Sequence, residues 1–205
     1  MPEEPAVKRA VVFFDGQNLF HAAKAAFGYT FPNYDPLKLA TAVCTGRGWS
    51  LAETRFYTGV PSPADGLHWY TFWSRKLLAM SRAGVRVYSR PLRYRSMIVQ
   101  GGRPLRVGEE KGIDVRIAID VLSCAIRGRC DVALVFSQDQ DLSEVADEIR
   151  VITAEHERWL KIASAFPVSP ASHNRRGIDR TDWIRIDRAT YDACIDPWDY
   201  RKDRV

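Results

Sequence analysis

Two short apolar runs, Val11 to Phe14 and Val132 to Phe136, each stop at an acidic, polar loop and hand over to apolar residues at helical spacing. The first is followed by Asp15-Gly16-Gln17-Asn18 and then by Leu19, Ala22, Ala23, Ala26 and Phe27. The second is followed by Ser137-Gln138-Asp139-Gln140-Asp141 and then by Leu142, Val145, Ala146 and Ile149. Unbroken apolar strands are those buried on both faces, as in parallel sheets covered by helices. The recurring order of strand, loop and helix therefore predicts an α/β fold, a three-layer sandwich around a mainly parallel central sheet.

Between these units, Glu110-Lys111-Gly112-Ile113-Asp114 opens another helix, with Ile117, Ala118, Val121, Leu122 and Ala125 as its apolar stripe. Asp114 precedes Ile117 and Ala118 by three and four residues, so it extends that sheet-facing stripe into the first turn. Parallel strands joined by right-handed crossovers bring strand ends and helix starts to one edge, where ligands of such sheets bind. Asp15 and Asp139 end strands, while Asp114 and Asp141 start helices, so all four are expected on one rim.

Carboxylates held close together repel unless a proton or a cation intervenes, and hard oxygen donors suit Mg²⁺ or Mn²⁺. Each acid also has a purely structural explanation. Asp141 with Glu144 fits a capping box, Asp139 fits a turn, and Asp15 fits a loop acid bonded to nearby amides. Capping alone does not require Asp15 to end its strand or Asp114 to face the sheet. Asn18 stands either as the N-cap of its helix or as a group that orients a water or carboxylate. Lys111 either contacts phosphate or balances the acids, and Glu109 and Glu110 are expected to be exposed. Asp120 lies roughly 9 Å further along its helix than Asp114 and reads as a salt-bridge partner.

Elsewhere, Asp35-Pro36 starts a helix ending near Gly46, and Arg55 to Val60 reads as a strand closed by Pro61 and Pro63. Trp69, Phe72, Trp73, Leu77 and Met80 mark an amphipathic helix whose aromatic positions read as core rather than as a base-stacking platform. Val85 to Tyr88, Trp159 to Ala163 and Trp183 to Ile186 complete the strands. The rhythm breaks near residues 92–107, where Leu92 to Ser96, Gly101-Gly102 and Arg103 to Val107 read as an inserted β-hairpin. Its arginines, Arg90, Arg93, Arg95, Arg103 and Arg106, form either a phosphate-binding flap or a charged edge that resists aggregation.

With 205 residues, 46% of them hydrophobic, the chain can bury one core but not comfortably two. The formal charge of +5 favours polyanionic partners without proving one. No stretch approaches the roughly 20 apolar residues of a membrane span, and the start has no basic region followed by an apolar core. Cys44, Cys124, Cys130 and Cys194 form no C-x-x-C pair and the histidines have no zinc-ligand spacing. Reduced thiols in a soluble cytoplasmic protein, without zinc, are the expectation.

Three segments together, Phe14-Asp15-Gly16-Gln17-Asn18, Lys111-Gly112-Ile113-Asp114 and Ser137-Gln138-Asp139-Gln140-Asp141, resemble the motifs of NYN domains in the PIN-like ribonuclease superfamily. The resemblance covers residues 8–187, leaving 188–205 as a C-terminal helix and tail packed on the same domain. It implies a PIN-like, flavodoxin-like sandwich and a metal-dependent RNase that leaves a 5′ phosphate. It assigns Asp15, Asn18, Asp114, Asp139 and Asp141 to catalysis, the four acids holding Mg²⁺ or Mn²⁺. Gln138, Gln140 and Leu142 depart from the pattern in similar proteins, the glutamines either crowding the loop or contacting substrate. Arg175-Arg176-Gly177-Ile178-Asp179-Arg180-Thr181-Asp182-Trp183 resembles a late loop beside the site, and reads equally as a basic surface loop leading into a strand.

The expected activity is hydrolysis of RNA, with Arg93, Arg95, Arg103, Arg106, Lys111, Arg175 and Arg176 on the nucleic acid. The alternative keeps the fold as an RNA-binding or protein-interaction module with weak or no turnover. A haloacid-type phosphatase would need an acid where Gln17 stands, and a phospho-receiver would need both a phosphorylatable aspartate ending a middle strand and a later strand-end lysine, neither of which the pattern marks. A homo-oligomer or a regulatory protein partner is left open, with Trp198 as a candidate contact.

Overall fold

The computed structural model describes residues 2–98 and 104–202. Among these residues, six strands form one parallel sheet: β1 (Lys8–Asp15), β2 (Trp49–Val60), β3 (Arg86–Pro91), β6 (Val132–Phe136), β7 (Lys161–Pro167) and β8 (Asp182–Ile186). The spatial order is β3-β2-β1-β6-β7-β8. A separate antiparallel hairpin, β4 (Arg93–Ile98) with β5 (Pro104–Glu109), is the expected insertion. Gly101-Gly102 and Arg103 lie outside the described residues.

Alternation along β1 builds the three layers. Val12 and Phe14 join a core with α1 (Gly16–Phe27), α2 (Pro36–Gly46) and α3 (Pro63–Arg82). Val11 and Phe13 join a second core with α4 (Ile113–Ile126) and α5 (Ser143–Glu155). Successive side chains point to opposite faces, so a strand apolar at every position can serve both cores. Phe14 and Phe136 stack with centroids 4.1 Å apart, tying β1 to β6 at the sheet centre. All four cysteines are buried free thiols.

Several local expectations change. Pro63 does not close β2 but opens α3, capped by the Ser62 side chain, because proline's missing N–H costs nothing in a first turn. Asn18 is not the cap of α1: Asp15 accepts from the Asn18 N–H at 3.0 Å. Asp141 does not form a capping box, since Gln140–Leu142 is a 3-10 turn capped by Asp139 and α5 begins only at Ser143. The aromatic stripe of α3 is core at Phe72 and Trp73, but Trp69 is 40% exposed and lines a surface groove.

The chain end is tied to the α2–α3 side. A short helix, α6 (Arg188–Ala193), is followed by a backbone bond from Asp35 N–H to the Cys194 carbonyl. Lys76, almost wholly buried, donates to Asp196 at 3.1 Å and to the Tyr34 carbonyl at 2.9 Å. Trp198 is 68% exposed.

Candidate functional site

The carboxyl ends of β1 and β6 and the start of α4 enclose a cavity of about 380 Å³. Asp15, Asp114 and Asp139 all line it, together with Asn18 and Lys111. Three of the four aspartates thus share one recess. Asp141 is not among its lining residues; its N–H donates to Asp139 Oδ1 at 3.1 Å, and so steadies that acid from behind.

Local hydrogen bonding explains how the acids are held. Asp15 is 6% exposed, and its second oxygen accepts from the Ser137 hydroxyl at 3.2 Å. That hydroxyl oxygen in turn accepts from the Asp139 N–H at 3.1 Å, linking the two strand-end acids through one serine. Asn18, inside the first turn of α1, accepts from the Gln138 N–H at 2.9 Å. Asn18 therefore joins the two acid-bearing loops. Gly112 has φ +73°, a left-handed conformation that lets the chain turn from the hairpin into α4 and deliver Asp114.

A further acid belongs to the cavity. Glu110 is not exposed as expected but largely enclosed, accepting from the Thr58 hydroxyl at 3.3 Å and from the Gly59 N–H. Burial pushes its carboxyl up to about 7, opposed by the Gly59 N–H and reinforced by the charge of Asp15. Burial likewise raises Asp15 to about 6, against the Asn18 N–H and Ser137 hydroxyl, with Asp139 and Asp114 adding repulsion. Glu110 follows a hairpin strand and precedes a turn, where neither strand nor helix periodicity speaks. Its one legible signal was its place four residues before Asp114. His21 and Gln17, on the first turns of α1, also line the cavity and were missed.

These groups suit a hard divalent ion. Among the described lining residues, four carboxylates face one ammonium, from Lys111. Burial first, and the neighbouring acids after it, keep Asp15 and Glu110 raised. No group of three His, Cys, Asp or Glu side chains among the described residues is placed to hold a metal ion by itself. Mg²⁺ and Mn²⁺ commonly use one or two carboxylates and fill the remaining positions with water and substrate, so an open recess fits them.

Apart from Lys111, the described cations expected on the nucleic acid stand elsewhere. Arg95 pairs with Glu109 at 2.8 Å, Arg106 pairs with Asp65 at 2.7 Å, and Arg93 is exposed. Arg175 bonds the carbonyls of Ser172 and Pro170, and Arg176 pairs with Asp179 at 3.0 Å. None of these five lines the acid cavity. The loop that carries the last two is nonetheless held against the β6 end. Gln138 donates to the Arg176 carbonyl at 2.7 Å; Gln140 donates to the Gly177 carbonyl at 2.9 Å and accepts from the Asp179 N–H at 3.1 Å. The two glutamines are ties between loops. Asp120 is the expected salt-bridge partner, bound by Arg116 at 3.0 Å and by the Tyr57 hydroxyl at 2.8 Å.

A parallel sheet sandwiched by helices, with carboxylates gathered outside its carboxyl edge, defines an open α/β domain with its site at the strand ends. Residues 9–156 match the NYN domain, and the chain belongs to that family, one of PIN-like nucleases. No curated protein matches the chain. A crystal structure of a protein of unknown function from Vibrio parahaemolyticus is similar at 18% identity and a TM-score of 0.54, covering 91% of this chain and 97% of that one. That likeness speaks for the fold alone. Acinetobacter baumannii MurG aligns at 8% identity and a TM-score of 0.33 over 87% of this chain and 45% of its own, too slight to carry an argument.

Proposed function

We propose that this protein is a metal-dependent endoribonuclease that hydrolyses RNA phosphodiester bonds and leaves a 5′ phosphate. The observation that carries the reading is the meeting of Asp15, Asp114 and Asp139 in one recess, with Asp15 forced upward by burial and by its neighbours. These three would hold Mg²⁺ or Mn²⁺. Such an ion supplies Lewis acidity and charge neutralisation at a phosphoryl oxygen.

The chain's own groups do the rest. Asp15 lines the recess and is fixed there by two hydrogen bonds, from the Asn18 N–H and the Ser137 hydroxyl. Asn18 holds the β6 loop at a set distance from α1, and Asp141 backs Asp139 through its amide. Lys111, exposed at the mouth, offers an ammonium to a phosphate. The buried free thiols are in keeping with a reducing cytoplasm. No helix among the described residues is long and apolar enough to cross a membrane.

One observation favours the alternative of a binding module without turnover, namely that no described trio of acids is placed to hold a metal ion by itself. Cleavage of a mixed RNA pool with Mn²⁺ separates the two readings. Asp114→Asn is expected to lower the rate by at least about 100-fold while leaving the circular dichroism spectrum unchanged. Equal cleavage by native and variant protein would overturn the site assignment, and metal-independent binding with no products would favour the module.

A further inference from the structure

The hairpin and late-loop arginines are largely engaged in local bonds, yet a second recess is rich in cations. It has a volume of about 430 Å³ and lies on the α4 face of the sheet. Its floor comes from two neighbouring strands: Arg55 is the ladder partner of Arg86, and Tyr57 that of Tyr88. Alternation turns all four side chains to the same face. Its wall is one stripe of α4, formed by Arg116, Asp120 and Ser123 at four- and three-residue steps, continued past the helix end by Arg127 and Arg129.

The charge balance is lopsided. Five arginines line this groove, and the described acids bound to them are Asp120 and Glu53, leaving an excess of three positive charges. Arg55, 7% exposed, is held by Glu53 at 2.9 Å and forms a fixed base. Arg116 lies over the Tyr88 ring at 5.0 Å, and Arg127 and Arg129 are exposed.

The groove and the acid recess share no lining residue, but neighbouring parts of α4 line both. Tyr57 in its floor is the ladder partner of Asp15, and α4 carries Asp114 in its first turn while Arg127 caps its far end. The two are thirteen residue steps apart, a path of roughly 20 Å along the helix axis. We propose that this arginine groove is a binding track for the phosphates of a single RNA strand, leading a phosphate several nucleotides from the scissile one along α4. The proposal rests on the ribonuclease reading for its choice of RNA. A row of cations beside the acids offsets the repulsion that four carboxylates exert on a polyanion.

Binding without turnover tests it. A fluorescent RNA of roughly ten nucleotides, within the span of known single-strand sites, is titrated by anisotropy in EDTA at several salt concentrations. Each lost phosphate contact lowers the slope of log K against log salt by about 0.7, so Arg127→Glu with Arg129→Glu should lower it by about 1.4. At 0.1 M salt the same pair should weaken binding roughly 25-fold. The milder Arg127→Gln with Arg129→Gln guards against misfolding and should reduce the slope as well. Arg82→Glu with Arg185→Glu, exposed positions outside the groove carrying the same charge change, sets the effect of net charge alone.

Losses no greater than those of this control pair would overturn the proposal, as would binding of a polyglutamate peptide in place of RNA. Cleavage that proceeds while the groove variants bind as native protein does sinks the groove alone. Charge-dependent RNA binding at the groove with no cleavage sinks the ribonuclease reading alone.

Discussion

Asp15→Asn should make the metal-free protein more stable at neutral pH, although the same change is expected to abolish cleavage. Burial of the Asp15 carboxyl raises it from 3.8 to about 6. A group raised by folding contributes stability at low pH and loses it as the pH climbs through the folded value, because the folded state there binds more protons than the unfolded one. The loss thus falls between pH 3.8 and about 6. Asparagine mimics the protonated acid and can still accept from the Asn18 N–H, so it escapes this loss. Linkage places the gain below about 1 kcal/mol at pH 4, at about 2 at pH 5 and at about 3 at pH 8. For a chain of this size that is a melting-temperature rise of roughly 6–12 °C at pH 8.

Urea denaturation in EDTA at those three pH values measures the difference directly. Saturating Mn²⁺ should narrow it at pH 8, since an ion bound by the folded native site adds about 2.7 kcal/mol at one hundred times its dissociation constant. A gain independent of pH, or a native protein more stable than the variant at pH 8 without metal, would refute the argument that Asp15 is held against its ionisation.

Gln140→Ala removes two bonds to the 177–179 segment, and at about 0.5–1.5 kcal/mol each should cost roughly 1–3 kcal/mol. Hydrogen exchange at the Asp179 amide should speed up, and unchanged exchange would show that the loop does not depend on this tie. Gly16→Ala would place a methyl 2.6 Å from Phe56 Cζ and 2.9 Å from the Tyr57 carbonyl oxygen. Overpacking against the buried Phe56 should cost about 1–3 kcal/mol, outweighing alanine's helix preference of about 1, as a lower urea midpoint would reveal.

The acids were legible because each sits where a periodicity changes. Asp15 and Asp139 end runs apolar at every position, and Asp114 continues a stripe of helical spacing, so backbone direction alone brings all three to one edge. Asp141 had the same credentials and still falls outside the cavity, because a 3-10 turn rather than α5 begins there and rotates it away. Glu110 had no periodicity to announce it. It became a site residue only when Thr58 and Gly59, some fifty positions earlier, closed around its side chain.

Local pattern by itself determined the order of strands and helices, the layer each serves and the edge at which the acids gather, because side-chain period and crossover handedness are properties of short segments. Which cations remain available to a polyanion was decided only by tertiary structure. The hairpin arginines drew the eye as a cluster in the chain, but Asp65 and Glu109 engage two of them. The groove of Arg55, Arg86, Arg116, Arg127 and Arg129 exists only where β2 and β3 come to lie beside α4. Charge acts through space, and distances between segments far apart in a chain are set by packing rather than by spacing along it.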